Sequence, residues 1–291
     1  MTTVAGLAPG ERGTAALHLA AMLARSTGDD LAAVVVVPTP WPPNPYRADA
    51  EYLAVQEQEA RRALAGVDEV AGPDLVVRGR LHRARSVASG LLEVVAEEAA
   101  TSVVLGPAGS GLLGRVSLGG VADRVLHSSE VPVTLAPAGF RTRPGARVRR
   151  VTVAFGRADR DSDLLTSARA VAERIGASLR VACFAVRPPN VHLESVDRGA
   201  EELVVAEWQR AVEAEVAEVA GTALETVVGR GERWGDALAD VAWADGDVLA
   251  VGASSSPVSR FFLGSHAAKI VRHSPVPVTL VPRQLPRTSA S

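Results

Sequence analysis

The segment Gly106 to Gly120 reads GPAGSGLLGRVSLGG, with glycines at 106, 109, 111, 114, 119 and 120. Glycine reaches positive φ and puts no Cβ between main chain and ligand, so closely spaced glycines let consecutive amides converge on an anion. The chemistry on offer is a phosphate cradle built from backbone N–H groups. Glycine loops also serve merely as tight turns, and both uses stay open from this segment alone. Gly109 to Gly114 formally spells GxGxxG. A dinucleotide fingerprint needs that motif after the first strand and an acidic residue about 20 positions on, where this chain has Thr134. No GxxxxGK occurs and the single lysine, Lys269, lies elsewhere, which argues against a Walker-type NTPase.

Other reactive side chains give weaker patterns. His18, His82, His127, His192, His266 and His273 are scattered, without a pair at metal-ligand spacing on one helix face. Cys183 is the only cysteine, so it forms no internal disulfide and belongs to no CxxC pair; it reads as a buried, inert thiol in a reducing compartment. No serine stands in a GxSxG elbow. Trp208, Trp234 and Trp243 fall in stretches that read as helix and serve packing, whereas Trp41 sits in a Pro-rich loop with the alternative of a lid.

The elements that position these groups are written twice. Val131-Pro132-Val133-Thr134-Leu135 recurs 145 positions later as Val276-Pro277-Val278-Thr279-Leu280, and Leu118-Gly119 as Leu263-Gly264. Within copy one, apolar β-branched runs (Thr3 to Leu7, Leu31 to Val37, Leu75 to Arg80, Ser102 to Leu105, Val131 to Ala136) alternate with helical stretches (Thr14 to Ser26, Arg47 to Leu64, Ser86 to Ala99, Gly120 to His127). Strands alternating with helices through short turns imply parallel βαβ units with right-handed crossovers. The fold class is therefore α/β: two tandem doubly wound, Rossmann-like, parallel-sheet domains. Residues 1–138 and 150–283 form the domains, 139–149 an arginine-rich solvated linker, and 284–291 a disordered tail. In such a sheet, ligands bind beyond the carboxyl ends of the strands, which places the glycine loop after the fourth strand at the site.

Length and composition fit this organisation. The 291 residues are 47% hydrophobic and 22% charged, enough to build sizeable cores. The net charge of -2 argues against a phosphate-driven grip on nucleic acid. No apolar run approaches the roughly 20 residues a bilayer span requires, and MTTVAGLAPGERG lacks the pattern of a signal peptide, so a cytoplasmic protein away from membranes is expected.

Gly106-x2-Gly109-x9-Gly119, followed by Val-Ala-Asp-Arg-Val-Leu and a closing Val-Pro-Val strand, resembles the universal stress protein family across nearly the whole chain. The resemblance implies a non-enzymatic stress-response protein that binds adenine nucleotide, with ATP as the ligand; neither glycine loop supplies a carboxylate for an accompanying magnesium ion. By the family pattern Gly106, Gly109, Gly119 and Gly120 hold phosphate, Gly6 stands where ATP-binding members have an aspartate, and Val36 backs the adenine. The pattern ends Gly-Ser or Gly-Thr, whereas copy one has Gly119-Gly120, so the amide is kept and the hydroxyl is not. Copy two departs further. Ser255 replaces the second glycine, Pro257 removes a donor, and Phe155 and Phe184 fall at the aspartate and adenine positions, where a stacked pair of rings is expected to close the pocket. The family's dimerising edge implies that Val133 to Ala136 pairs with Val278 to Val281, an intramolecular pseudo-dimer, with a homodimer of whole chains as a further arrangement. The competing readings are a protein with both pockets decayed, and a slow ATP hydrolase.

Overall fold

A computed structural model of the chain describes residues 1–8, 12–39, 47–108, 113–156, 158–186, 198–256, 259–262 and 264–282. Gly109, Trp41, Pro257, His192 and the tail 284–291 lie outside the described residues. Copy one runs β1 (Thr2–Gly6), α1 (Arg12–Thr27), β2 (Asp30–Pro38), α2 (Arg47–Ala65), α3 (Val67–Ala71), β3 (Val77–Ala84), α4 (Val87–Glu97), β4 (Ser102–Leu105), α5 (Gly120–Ser128) and β5 (Val133–Leu135). Copy two runs β6 (Arg150–Ala154), α6 (Ala158–Ile175), β7 (Ser178–Val186), α7 (Arg198–Ala220), β8 (Glu225–Gly231), α8 (Trp234–Asp240), β9 (Asp247–Ser256), β10 (Ser259–Phe262), α9 (Ser265–His273) and β11 (Val278–Pro282).

Local sequence explains the main elements. β2 is DLAAVVVVP, buried from Leu31 to Val37, as a central parallel strand covered by helices on both faces must be. α4 starts where Ser86 Oγ accepts the Ser89 N–H at 3.1 Å while Ser89 Oγ accepts the Ser86 N–H at 3.1 Å. This reciprocal cap satisfies two otherwise orphaned donors.

Apart from β10, which pairs antiparallel with β9, the strands of each copy pair in parallel, and the sheet runs β3-β2-β1-β4-β5-β11-β9-β6-β7-β8. The halves meet where β11 lies antiparallel to β5, with Val278 opposite Leu135, Thr279 opposite Thr134 and Leu280 opposite Val133. Thr134 and Thr279 hydroxyls meet at 3.0 Å across this seam. One apolar core covers each face of the sheet, and both contain residues of both copies.

The connector is exposed along most of its length, at Gly139, Arg141, Arg143 to Gly145, Arg147 and Arg149, and is anchored at a few points. Phe140 and Ala146 pack against the core and Val148 is buried. Val148 N–H donates to Ser26 Oγ at 2.8 Å, Arg147 donates to the Arg25 carbonyl, and Arg141 donates to Thr14 Oγ1. Arg25, 5% exposed, donates to both carboxylate oxygens of Asp74 (2.6 and 3.1 Å) and to the Ala146 carbonyl at 3.3 Å. Burial, with Arg141 adding to it, lowers His18 below the ordinary histidine value, which favours the neutral ring beside this cationic strap. Composition marks the segment as polar; the acceptors on α1 that bind it come from tertiary contact.

Candidate functional site

Beyond the carboxyl ends of β1 and β4 lies a cavity of about 350 Å³, within the size range of small-ligand pockets. Gly6, Leu7 and Ala8 supply one side, Val36 of β2 and Val87 and Leu91 of α4 the back, and Leu105 to Ala108 with Gly119 to Ala122 the side of the glycine-rich loop. Five sequence-selected positions, Gly6, Val36, Gly106, Gly119 and Gly120, therefore line one cavity. Val87, Leu91 and Ala122 were missed because a small apolar residue on a helix signals core as readily as a binding wall.

One end of the cavity is the start of α5. The first intrahelical bond there joins Asp123 N–H to the Gly119 carbonyl at 2.9 Å, leaving the amides of Gly120, Val121 and Ala122 in the first turn without helical acceptors. Gly119 caps the helix with φ -106 and ψ 171 and offers no side-chain cap. Glycine is needed there for room rather than for a left-handed conformation: an added Cβ would stand 2.6 Å from Ala108 Cβ. At Gly120 an added Cβ meets nothing within 4 Å. The loop's positive-φ glycine among the described residues is Gly114, at φ 74. Its N–H donates to the Ala138 carbonyl at 2.8 Å. These free amides and the positive end of the helix suit phosphate; the described lining side chains are all apolar and supply no base, nucleophile or metal ligand.

Copy two builds something different at the equivalent place. Gly6 pairs with Val34 and Ala154 with Ala182, so Gly6 corresponds to Ala154, Leu7 to Phe155 and Val36 to Phe184. The expected Phe155–Phe184 pair does not form. Phe155 is 3% exposed in the core on one face, while Phe184 packs against the core of the other. A strand alternates its faces, so matching Phe155 to Gly6 instead of Leu7 turns the ring to the wrong side. The actual partner of Phe184 is Trp234, with centroids 6.4 Å apart, and Trp234 in turn lies 5.3 Å from His266. By position after the helix caps Ser86 and Arg233, Trp234 replaces Val87, and His266 replaces Val121. Three valines around the copy-one cavity thus become a chain of rings. The copy-two loop is also reshaped: β9 runs on to Ser256 and turns into β10, with Ser259 opposite Ser256, and this hairpin packs across α5 of copy one. In return, Arg115 of the copy-one loop donates to the carbonyl of His273, the last residue of α9.

Trp243 lies outside the helices, beyond α8, with the Arg180 guanidinium 5.2 Å from its ring centroid. Cys183 is fully buried, and burial, with Asp161 and Glu215 adding to it, pushes its thiol up to about 12. Folded protein at pH 8 is expected to leave Cys183 unlabelled by a thiol-specific reagent over hours, with stoichiometric labelling in denaturant; rapid native labelling would contradict its inert placement.

Architecture and cavity together define a tandem doubly wound α/β protein with a cavity in its first half that ends at the start of a helix. The universal stress protein family model matches residues 3–137 and again 147–282. Universal stress proteins of Mycobacterium tuberculosis and Mycobacterium bovis are each 38% identical over 296 residues, covering 97% of this chain and 100% of the relative. A universal stress protein from Archaeoglobus fulgidus DSM 4304 has the same fold at a TM-score of 0.61 and 17% identity, with 97% of this chain and 98% of that one covered. The chain belongs to the universal stress protein family, as a tandem member.

Proposed function

We propose that the chain is a non-enzymatic, cytoplasmic stress-response protein that binds one adenine nucleotide, with ATP as ligand, in copy one, while copy two serves as a structural partner. The reading rests on the contrast between the two clefts: one is an open cavity ending in free α5 amides, the other is crossed by Phe184, Trp234 and His266. Membership of the family supports it, as does the all-apolar described lining, which offers ATP a place to sit but no group to activate water. Among the described residues no helix is long and apolar enough to cross a membrane.

Titration calorimetry with ATP tests this directly. One site per chain is expected; two sites, or phosphate release at a catalytic rate, would overturn it. Gly120→Ser adds a hydroxyl at the first residue of α5, where Ser265 stands in copy two. Because that position is open, the variant is expected to fold as before and to bind ATP several-fold more tightly, the worth of about one added hydrogen bond. An unchanged or weaker affinity would place the phosphates elsewhere.

A further inference from the structure

A second cavity, of about 520 Å³, lies at the amino ends of the copy-two strands, at the edge of the sheet where β8 is the last strand. All of its lining residues are among those described, and they include Arg150, Arg180, Glu225, Val228, Val241 and Trp243. The Arg180 side chain is 2% exposed, yet its Nη2 has no hydrogen-bond partner. Nε donates to Thr152 Oγ1 at 3.3 Å and Nη1 to the Ala242 carbonyl at 3.0 Å, but Nη2 stops 3.7 Å from Asp247 Oδ2. A buried donor without an acceptor is costly, and native structures rarely keep one without a reason. The fold does not require it: copy one has Val4 and Ala32, both buried, where copy two has Thr152 and Arg180.

The charges around the cavity fix the kind of acceptor that is missing. Asp247 gives both oxygens to Arg150, at 3.0 and 2.6 Å, so the triad of two arginines and one carboxylate keeps an excess positive charge at Arg180. The other counter-charge, Glu225, stands 4.0 Å from Arg180 Nη1 with its side chain 55% exposed, where water screens it. Asp240 is engaged elsewhere, accepting the Arg230 N–H at 2.9 Å. A monoanionic oxygen from outside can take the place of Glu225 and gain a charge-assisted bond, whereas a dianion meets these three carboxylates. Val228, Val241 and Trp243 add apolar surface, and the guanidinium lies 5.2 Å from the Trp243 ring centroid. We propose that this cavity binds a small organic monocarboxylate, with the carboxylate on Arg180 Nη2 in exchange for Glu225 and an apolar body against Trp243. None of these residues lines the copy-one cavity, so the site stands whether or not copy one binds nucleotide.

The test titrates the full chain with benzoate, and with benzamide as its uncharged counterpart, at fixed ionic strength. Benzoate is expected to bind at least tenfold more tightly than benzamide, because only the anion offsets the arginine charge. Glu225→Gln removes the competing carboxylate at an exposed position and is expected to tighten benzoate binding at least threefold. Arg180→Met keeps an apolar stem of similar reach, leaves the Arg150–Asp247 pair in place, and is expected to weaken benzoate binding at least tenfold while circular dichroism shows the fold retained. Should Arg180→Met not fold, the benzamide comparison and Glu225→Gln decide. Equal affinity for benzoate and benzamide, or no benzoate binding by either the wild type or Glu225→Gln, overturns the inference. So does an unchanged affinity in folded Arg180→Met, which would place benzoate elsewhere on the surface. Saturating ATP is expected to leave benzoate binding unaltered, since copy one binds at the opposite ends of the strands; displacement by ATP would put benzoate in the copy-one cavity and overturn the assignment of this site.

Discussion

Replacing Asp247 by alanine is expected to remove about 3–5 kcal/mol of folding stability, the cost of leaving buried positive charge without its partner. The Asp247 side chain is 2% exposed and holds two arginines. Arg150 donates to it through Nε at 3.0 Å and Nη2 at 2.6 Å, the Ala244 N–H adds a bond at 2.9 Å, and Arg180 Nη2 lies 3.7 Å away. Arg180 is itself 2% exposed, held by Thr152 Oγ1 at 3.3 Å and the Ala242 carbonyl at 3.0 Å. Burial, with Arg150 adding to it, pulls the Arg180 guanidinium below its ordinary value, while Asp247 and Glu225 oppose the shift. Removing Asp247 therefore takes away the fully buried one of its two counter-charges. Urea unfolding followed by far-UV circular dichroism checks this, since a stability loss at constant two-state slope appears as a lowered midpoint. A loss below about 1 kcal/mol would mean that Arg180 is paired by Glu225 alone, contrary to the solvent exposure of that carboxylate.

Gly119→Ala is expected to weaken ATP binding at least tenfold, about 1.4 kcal/mol, with little effect on unfolding. The added Cβ would lie 2.6 Å from Ala108 Cβ, so the loop must shift at the point where, in the proposed reading, its amides meet the phosphates. The second variant separates crowding from other causes. Ala108→Gly removes the opposing methyl, and the double variant is expected to regain most of the lost affinity. Wild-type affinity in Gly119→Ala, or no recovery in the double variant, would remove this end of the loop from the phosphate site.

The alternation of apolar runs with helical stretches was enough to read the doubly wound fold and the two copies, because burial on both faces of a parallel sheet leaves continuous runs of Val, Ala and Leu such as Leu31 to Val37. The pairing of β5 with β11 followed from the family resemblance, whose dimerising edge is an edge strand that must be covered. The candidate cavity was legible where glycine marks it and, through the family pattern, at Val36. Gly106, Gly119 and Gly120 declared themselves, while Val87 and Leu91 look like any helix residue facing a core. Copy two was harder for two physical reasons. Small insertions and deletions between the copies leave its register open by one residue, and one residue decides which face Phe155 serves. The stretch after β9 lost its glycines and became a hairpin, whose packing on α5 depends on contacts far apart in the chain. The Arg150–Arg180–Asp247 cluster has no counterpart in copy one, where Thr2, Ala32 and Thr101 hold those positions, so the repeat gave no hint of it.

The seam between β5 and β11 joins two halves of one polypeptide. Association of separate chains obeys mass action and weakens on dilution, but a contact within a chain is held at a fixed effective concentration set by its connector. With residues 139–148 strapped along α1, that concentration stays high whatever the abundance of the protein. The continuous sheet thus persists at one molecule per cell as at thousands. Severing the halves would expose β5 and β11 as open edges, each ready to accept a strand from any neighbour, including the same half of another molecule.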